Sequence, residues 1–182
     1  MTEKGNPLDT PYSNDPTDGR EKHSWKSHYP DEAKKQIRCE SIYLAGMFVL
    51  SFVLILSVWH GALAAVFSSL TPDRVTVFRK YAFYSVAGML GGSVFGIKFF
   101  YRVVARGYWH QDRRIWRVMS PFLGMGLAFI VGSMLECGVL RLEKLASTPG
   151  IVSIGFLVGY CADTASAKMI DVANALFGLK EK

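Results

Sequence analysis

SIYLAGMFVLSFVLILSVWHGALAAVFSSLTP, residues 41–72, runs for 32 positions without a charged side chain. A helix on a water-soluble domain keeps a polar face, and this stretch has none. A crossing of ~30 Å of hydrocarbon takes ~17–25 mostly apolar residues. At 1.5 Å per residue the stretch reaches about 48 Å, too long for one perpendicular span. Tyr43 and Trp59 lie about 24 Å apart along such a helix, and aromatic rings favour the two membrane interfaces. They bracket a span over 42–60, with His60 and Gly61 at its exit. Residues 62–70 then either prolong the helix or lie along the surface, and Thr71-Pro72-Asp73 closes the segment.

Three later stretches are also free of charge: 81–97, 118–135 and 145–162. Over all 182 residues, 20% are charged and 50% apolar. That charge fraction is ordinary for a soluble protein, so distribution rather than amount decides. Residues 1–40 alone hold seven basic and eight acidic side chains. The expected fold is an all-α integral membrane protein, a bundle of four transmembrane helices with a C-terminal amphipathic helix. Its spans fall near 42–60, 81–104, 115–140 and 146–162, within a membrane domain over 31–162.

Residues 1–30 carry Pro7, Pro11, Pro16 and Pro30 among Asn, Asp, Ser and Gly. Such a segment buries too little apolar surface to fold alone, and a disordered cytoplasmic tail is expected. The N-terminus lacks the apolar core of a cleavable signal, so the first span is expected to remain as an anchor. Asp31 is placed to cap a helical lead-in. Further on, Lys98 can snorkel from the end of span two, Gly107 stops it, and Asp112 is placed to cap span three, where Pro121 falls in an early turn. Span four is the shortest. After it, Met169, Val172, Ala173, Leu176 and Phe177 recur at helical spacing, opposite Lys168, Asp171 and Asn174. That pattern predicts an amphipathic helix over 163–179, ended by Gly178, with Lys168 and Asp171 close enough to pair.

Lysine and arginine bias sets orientation. The 2–3 loop, the amino-terminal flank and the C-terminal end together hold twelve, against five in the other two loops. Both termini and the 2–3 loop are therefore expected in the cytoplasm, with the inner membrane of a bacterium as the setting. The basic excess beside the membrane points to anionic lipid headgroups rather than nucleic acid. Cys39, Cys137 and Cys161 form no CxxC pair and fall on different sides, so free, buried thiols are expected rather than disulfides.

Residues 99–117, FFYRVVARGYWHQDRRIWR, interleave cations with aromatic rings. One reading is positive-inside residues and an aromatic belt around a tight hairpin. The sharper reading is a docking site for an anionic lipid, a nucleotide or an acidic protein, with Arg102, Arg106, Trp109, Arg113, Arg114 and Arg117 as contacts, since guanidinium donates in a fork. Gly88, Gly92 and Gly96 in span two, and Gly155 and Gly159 in span four, recur every four residues. Small residues so spaced let helix backbones approach, either inside one chain or between copies in a homo-oligomer. Glu136, the one acidic residue in a predicted span, is either interfacial or part of a wet path. His60 has the same two readings.

No metal-ligand spacing, phosphate loop or nucleophile arrangement is present, so no cofactor and no enzymatic activity are expected. In size and span count the chain resembles the small four-span membrane subunits that accompany soluble partners in bacterial operons, antiphage defence systems among them. That resemblance is one of layout and carries over no residue. The sequence thus supports an oligomeric membrane anchor or sensor that holds a cytoplasmic protein through its basic hairpin and C-terminal helix. An oligomeric pore or membrane-disrupting effector is the alternative.

Overall fold

The structure is a computed structural model, and it describes residues 27, 29–62, 65, 71–138 and 147–177. The regular structure among them is entirely helical. The helices are α1 (Asp31–Trp59), α2 (Pro72–Ala105), α3 (Arg114–Glu136), α4 (Thr148–Tyr160) and α5 (Ala162–Phe177), with a single 3₁₀ turn, Gln111–Arg113, before α3. The expectations for the tail at 1–26, for most of 62–70, for the loop at 139–146 and for Gly178 lie outside the described residues.

Three helices are long and apolar enough to cross a membrane, and a fourth crossing exists if the bent pair α4–α5 counts as one. At 13 residues α4 is about 20 Å long, short of a full crossing. It breaks at Cys161, and α5 leaves at 93°. The outward face of α1 is apolar: Phe48, Leu50, Phe52, Val53, Leu56 and Trp59 are all exposed. So large an apolar surface is compatible with a membrane location.

Several helix boundaries differ from the sequence reading. The lead-in and span one form one continuous helix. Pro30, not Asp31, is its N-cap; Asp31 instead accepts a hydrogen bond from Lys34 at 2.9 Å. That bond, and then the Lys34 charge, hold the exposed Asp31 carboxyl below its ordinary value. Helix α2 starts at Pro72, where a missing N–H costs nothing. It ends as expected at Gly107, whose φ of 76° suits glycine. The Gly107 and Tyr108 amides donate back to Val104 and Val103 in a Schellman closure. Asp112 does not cap α3, because a 3₁₀ turn intervenes and Arg113 holds the cap position. Helix α3 runs through Pro121 and stops at Glu136, four residues before the predicted end. The three cysteines are free, but exposed rather than buried.

Helix α2 is the hub and packs against α1, α3 and α4. Its glycines make this possible. A Cβ on Gly88 would overlap Ala128 and the Gly124 carbonyl; one on Gly92 would come within 2.5 Å of the Ser120 carbonyl oxygen. From α4, a Cβ on Gly159 would overlap the Gly88 carbonyl, and one on Gly155 would sit 2.6 Å from the Tyr84 oxygen. Gly96 faces Leu44 of α1. All five predicted glycines therefore serve close helix crossings within one chain. At the end of the bundle formed by the α1 C-terminus, Val58, Phe83, Tyr84 and Ile151 make a buried apolar cluster. The opposite end carries the hairpin between α2 and α3.

Candidate functional site: the braced basic hairpin

The hairpin is held by a polar network that α1 brings to it. Glu40 lies on the buried side of α1, and Arg117 one turn into α3; both are fully buried. Arg117 donates to Glu40 from Nε and, at 3.0 Å, from Nη2. This two-point fork is the geometry that guanidinium offers a carboxylate. The Trp109 indole N–H adds a third bond to the same carboxylate at 2.9 Å, and Arg117 Nη2 also lies 3.4 Å from the His110 carbonyl. The remaining Arg117 nitrogen, Nη1, is buried with no partner among the described residues.

Tyr29, just before α1, closes the arrangement. Its hydroxyl donates to the Val104 carbonyl at 3.2 Å and accepts from the Trp109 amide at 3.3 Å. The two rings meet edge to face, 6.4 Å apart. Deeper in, Tyr43 donates to the Val118 carbonyl at 3.0 Å. The α1 lead-in thus fixes the start of α3 and the turn before it.

This placement divides the six predicted hairpin contacts. Arg102, Arg106 and Arg113 are exposed, and Arg114 is half-buried. Among the described residues none of the four makes an ion pair. Arg117 departs from the expectation of an outward contact: its charge is spent on Glu40 inside the protein. Trp109 departs likewise, since its indole N–H serves the same carboxylate. Sequence reading missed Glu40. The available signal was that Glu40 and Arg117 are the last charged residues before two uncharged runs starting at the same end of the bundle, so they share a depth and carry opposite signs.

The remaining predicted residues sit at the opposite end. Glu136, at the last turn of α3, pairs with Lys80 of α2 at 3.1 Å, both partly exposed. His60 is the exposed C-cap of α1, and the partner of Glu136 is Lys80 instead. Lys168 and Asp171 pair at 3.0 Å on the surface of α5, a contact of the order of 0.2–0.5 kcal/mol. Among the described residues there is no group of three His, Cys, Asp or Glu side chains placed to hold a metal ion.

Beside the hairpin, aromatic side chains interlock at the α4–α5 bend. Trp116 stands edge-on to Phe99 and Phe95 at 5.1 and 5.6 Å, and Phe95 meets Tyr160 at 6.0 Å and 90°. Lys98 donates to the Tyr160 hydroxyl at 2.7 Å. Comparison with known families, curated proteins and solved structures finds no match.

Proposed function

We propose that the chain is a non-enzymatic membrane anchor whose hairpin faces the cytoplasm and holds an acidic surface of a cytoplasmic protein. The observation that carries this reading is the contrast within the hairpin. One arginine is neutralised internally and braces the loop, while Arg102, Arg106 and Arg113, exposed, and Arg114, half-buried, have no ion-pair partner among the described residues. Guanidinium suits carboxylate, and a loop already braced needs less ordering of its backbone when it binds. Helices α1 to α3 cross the bilayer, while α4 enters it from the end opposite the hairpin and turns at Cys161 into α5. The glycine faces are occupied inside the chain, so they lend a homo-oligomer no support. Glu136 is paired, so a pore gains none from it.

Changing Arg102, Arg106, Arg113 and Arg114 together to glutamate tests the reading. The native chain, purified in mild detergent, is expected to bring a cytoplasmic protein with it; the variant is expected to insert, to keep its thermal midpoint within a few degrees, and to lose that protein. Retention of that protein by the variant would overturn the proposal.

The native cysteines test the orientation. Cys39 lies at the hairpin end and Cys137 at the other, and both are exposed. In cells opened to expose the cytoplasmic face, an impermeant maleimide should label a single-cysteine variant retaining Cys39. A variant retaining only Cys137 should react from the outside. The reverse pattern would invert the topology and remove the hairpin from the cytoplasm.

A further inference from the structure

We infer that the cleft between the hairpin and the α4–α5 bend binds one phospholipid with a zwitterionic, amine-bearing headgroup of the phosphoethanolamine type. The cleft has a volume of about 380 Å³ and is lined by Phe95, Phe99, Arg113, Trp116 and Asp163. That falls within the range of small-molecule sites, ~300–1,000 Å³. Its lining divides into an apolar wall and a charged rim. The wall is Phe95 and Phe99 of α2 with Trp116 of α3, held by the edge-on contacts described above. The rim is Arg113, at the start of α3, and Asp163, in the first turn of α5.

The rim selects the headgroup. Arg113 and Asp163 face one cleft, yet they form no ion pair with each other or with another described residue. A ligand carrying both signs satisfies both: its phosphate accepts from the guanidinium, and its ammonium donates to the carboxylate. A purely anionic headgroup would leave Asp163 as a repulsive neighbour. A quaternary ammonium has no N–H to donate to it. Lys98 is engaged by Tyr160, which leaves Arg113 as the phosphate contact. The 93° bend brings Asp163 to this rim, because it turns α5 away from the line of α4. Charged rim and aromatic wall then follow the order of headgroup and acyl chain in a bilayer leaflet.

The inference rests on the membrane reading above but not on the protein partner. Its test is native mass spectrometry of the full chain in detergent. The chain is titrated with phosphatidylethanolamine, phosphatidylglycerol and phosphatidylcholine of identical acyl chains, and with water-soluble phosphoethanolamine. Phosphatidylethanolamine is expected to bind about tenfold more tightly than the other two lipids, the effect of one charge-assisted hydrogen bond. Asp163→Asn should abolish that preference while leaving phosphatidylglycerol binding equal or stronger. Arg113→Gln should weaken all three lipids about tenfold. Equal binding of the three by the native chain, or a preference that survives Asp163→Asn, would overturn the inference. Competition by free phosphoethanolamine at the lipid's own concentration would overturn the lipid as ligand. Both substituted side chains lie at the rim, so a folding failure would show as a lowered thermal midpoint. Trp116→Phe, which keeps an aromatic wall, then serves as the second variant, with an expected several-fold loss for every lipid; unchanged binding by it would overturn the site. Extraction of the chain without detergent would refute the membrane reading itself, an outcome distinct from all of these.

Discussion

Glu40→Met is expected to destabilise the folded chain by about 3–5 kcal/mol, the cost of leaving one member of a buried ion pair uncompensated. The stranded group would be Arg117, which is fully buried and retains only the His110 carbonyl at 3.4 Å. Arginine has no neutral form to adopt. Arg117→Met should cost less, because a carboxyl group can bind a proton and shed its charge, and Trp109 still donates to it. The double variant Glu40→Met, Arg117→Met removes both charges and should recover most of the loss. Replacing a buried pair by apolar residues of similar volume is often neutral or better. A residual deficit of about 1–3 kcal/mol is expected from the Trp109 indole N–H, left without its acceptor. Adding Trp109→Phe to the double variant should reduce that deficit. Denaturant titration of helicity in mixed micelles reads all four. A double variant as unstable as Glu40→Met would show that the pair contributes by shape rather than by charge compensation.

The same pair marks where the sequence stopped being legible. The spans announce themselves through runs of uncharged residues, because hydrocarbon penalises charge position by position. The hairpin announces itself through Gly107 and its flanking arginines. Which arginine turns inward is a different question. Arg113, Arg114 and Arg117 are chemically identical, and their fates depend on what α1 brings opposite them. That information sits 77 residues from Arg117, in Glu40, inside a stretch that reads as an ordinary polar lead-in. The short fourth helix was legible only in part: its apolar run is visible, but the sharp break at Cys161 involves neither proline nor glycine. The glycine pattern was legible, while its use was not, since periodicity alone fits a neighbour in the same chain and one in another. Gly124, Ala128 and Gly132 of α3 form a further four-residue series. The first two face Gly88 and the third meets the Tyr84 ring, and reading that series beside the Gly88 one would have favoured a crossing inside the chain.

Gly159→Ala is the second change expected to have a large effect, and it adds only one methyl group. The new Cβ would overlap the Gly88 carbonyl oxygen and lie 2.7 and 2.8 Å from the Gly88 carbonyl carbon and Cα. These are backbone atoms, so no rotamer change relieves the contact. The helices α2 and α4 must separate, which loosens the packing of Ile151 against Phe83 and Tyr84. Overpacking typically costs about 1–3 kcal/mol, and a backbone obstacle places this case at the upper end. Gly46→Ala is the control: nothing lies within 4 Å of its Cβ, and alanine in a helix interior should stabilise by up to about 1 kcal/mol. Gly155→Ala should resemble Gly159→Ala, because its Cβ would lie 2.6 Å from the Tyr84 carbonyl oxygen and 2.9 Å from the Ala87 Cβ. The informative variant carries both. Gly155 and Gly159 both face α2 from α4, so separation of α2 from α4 to relieve one clash relieves part of the other. The double variant should therefore cost less than the sum of the singles, by about 0.5–3 kcal/mol of coupling. Strict additivity would mean that the two glycines relieve independent contacts, and the crossing of α2 with α4 would then not be the close backbone approach on which the bundle depends.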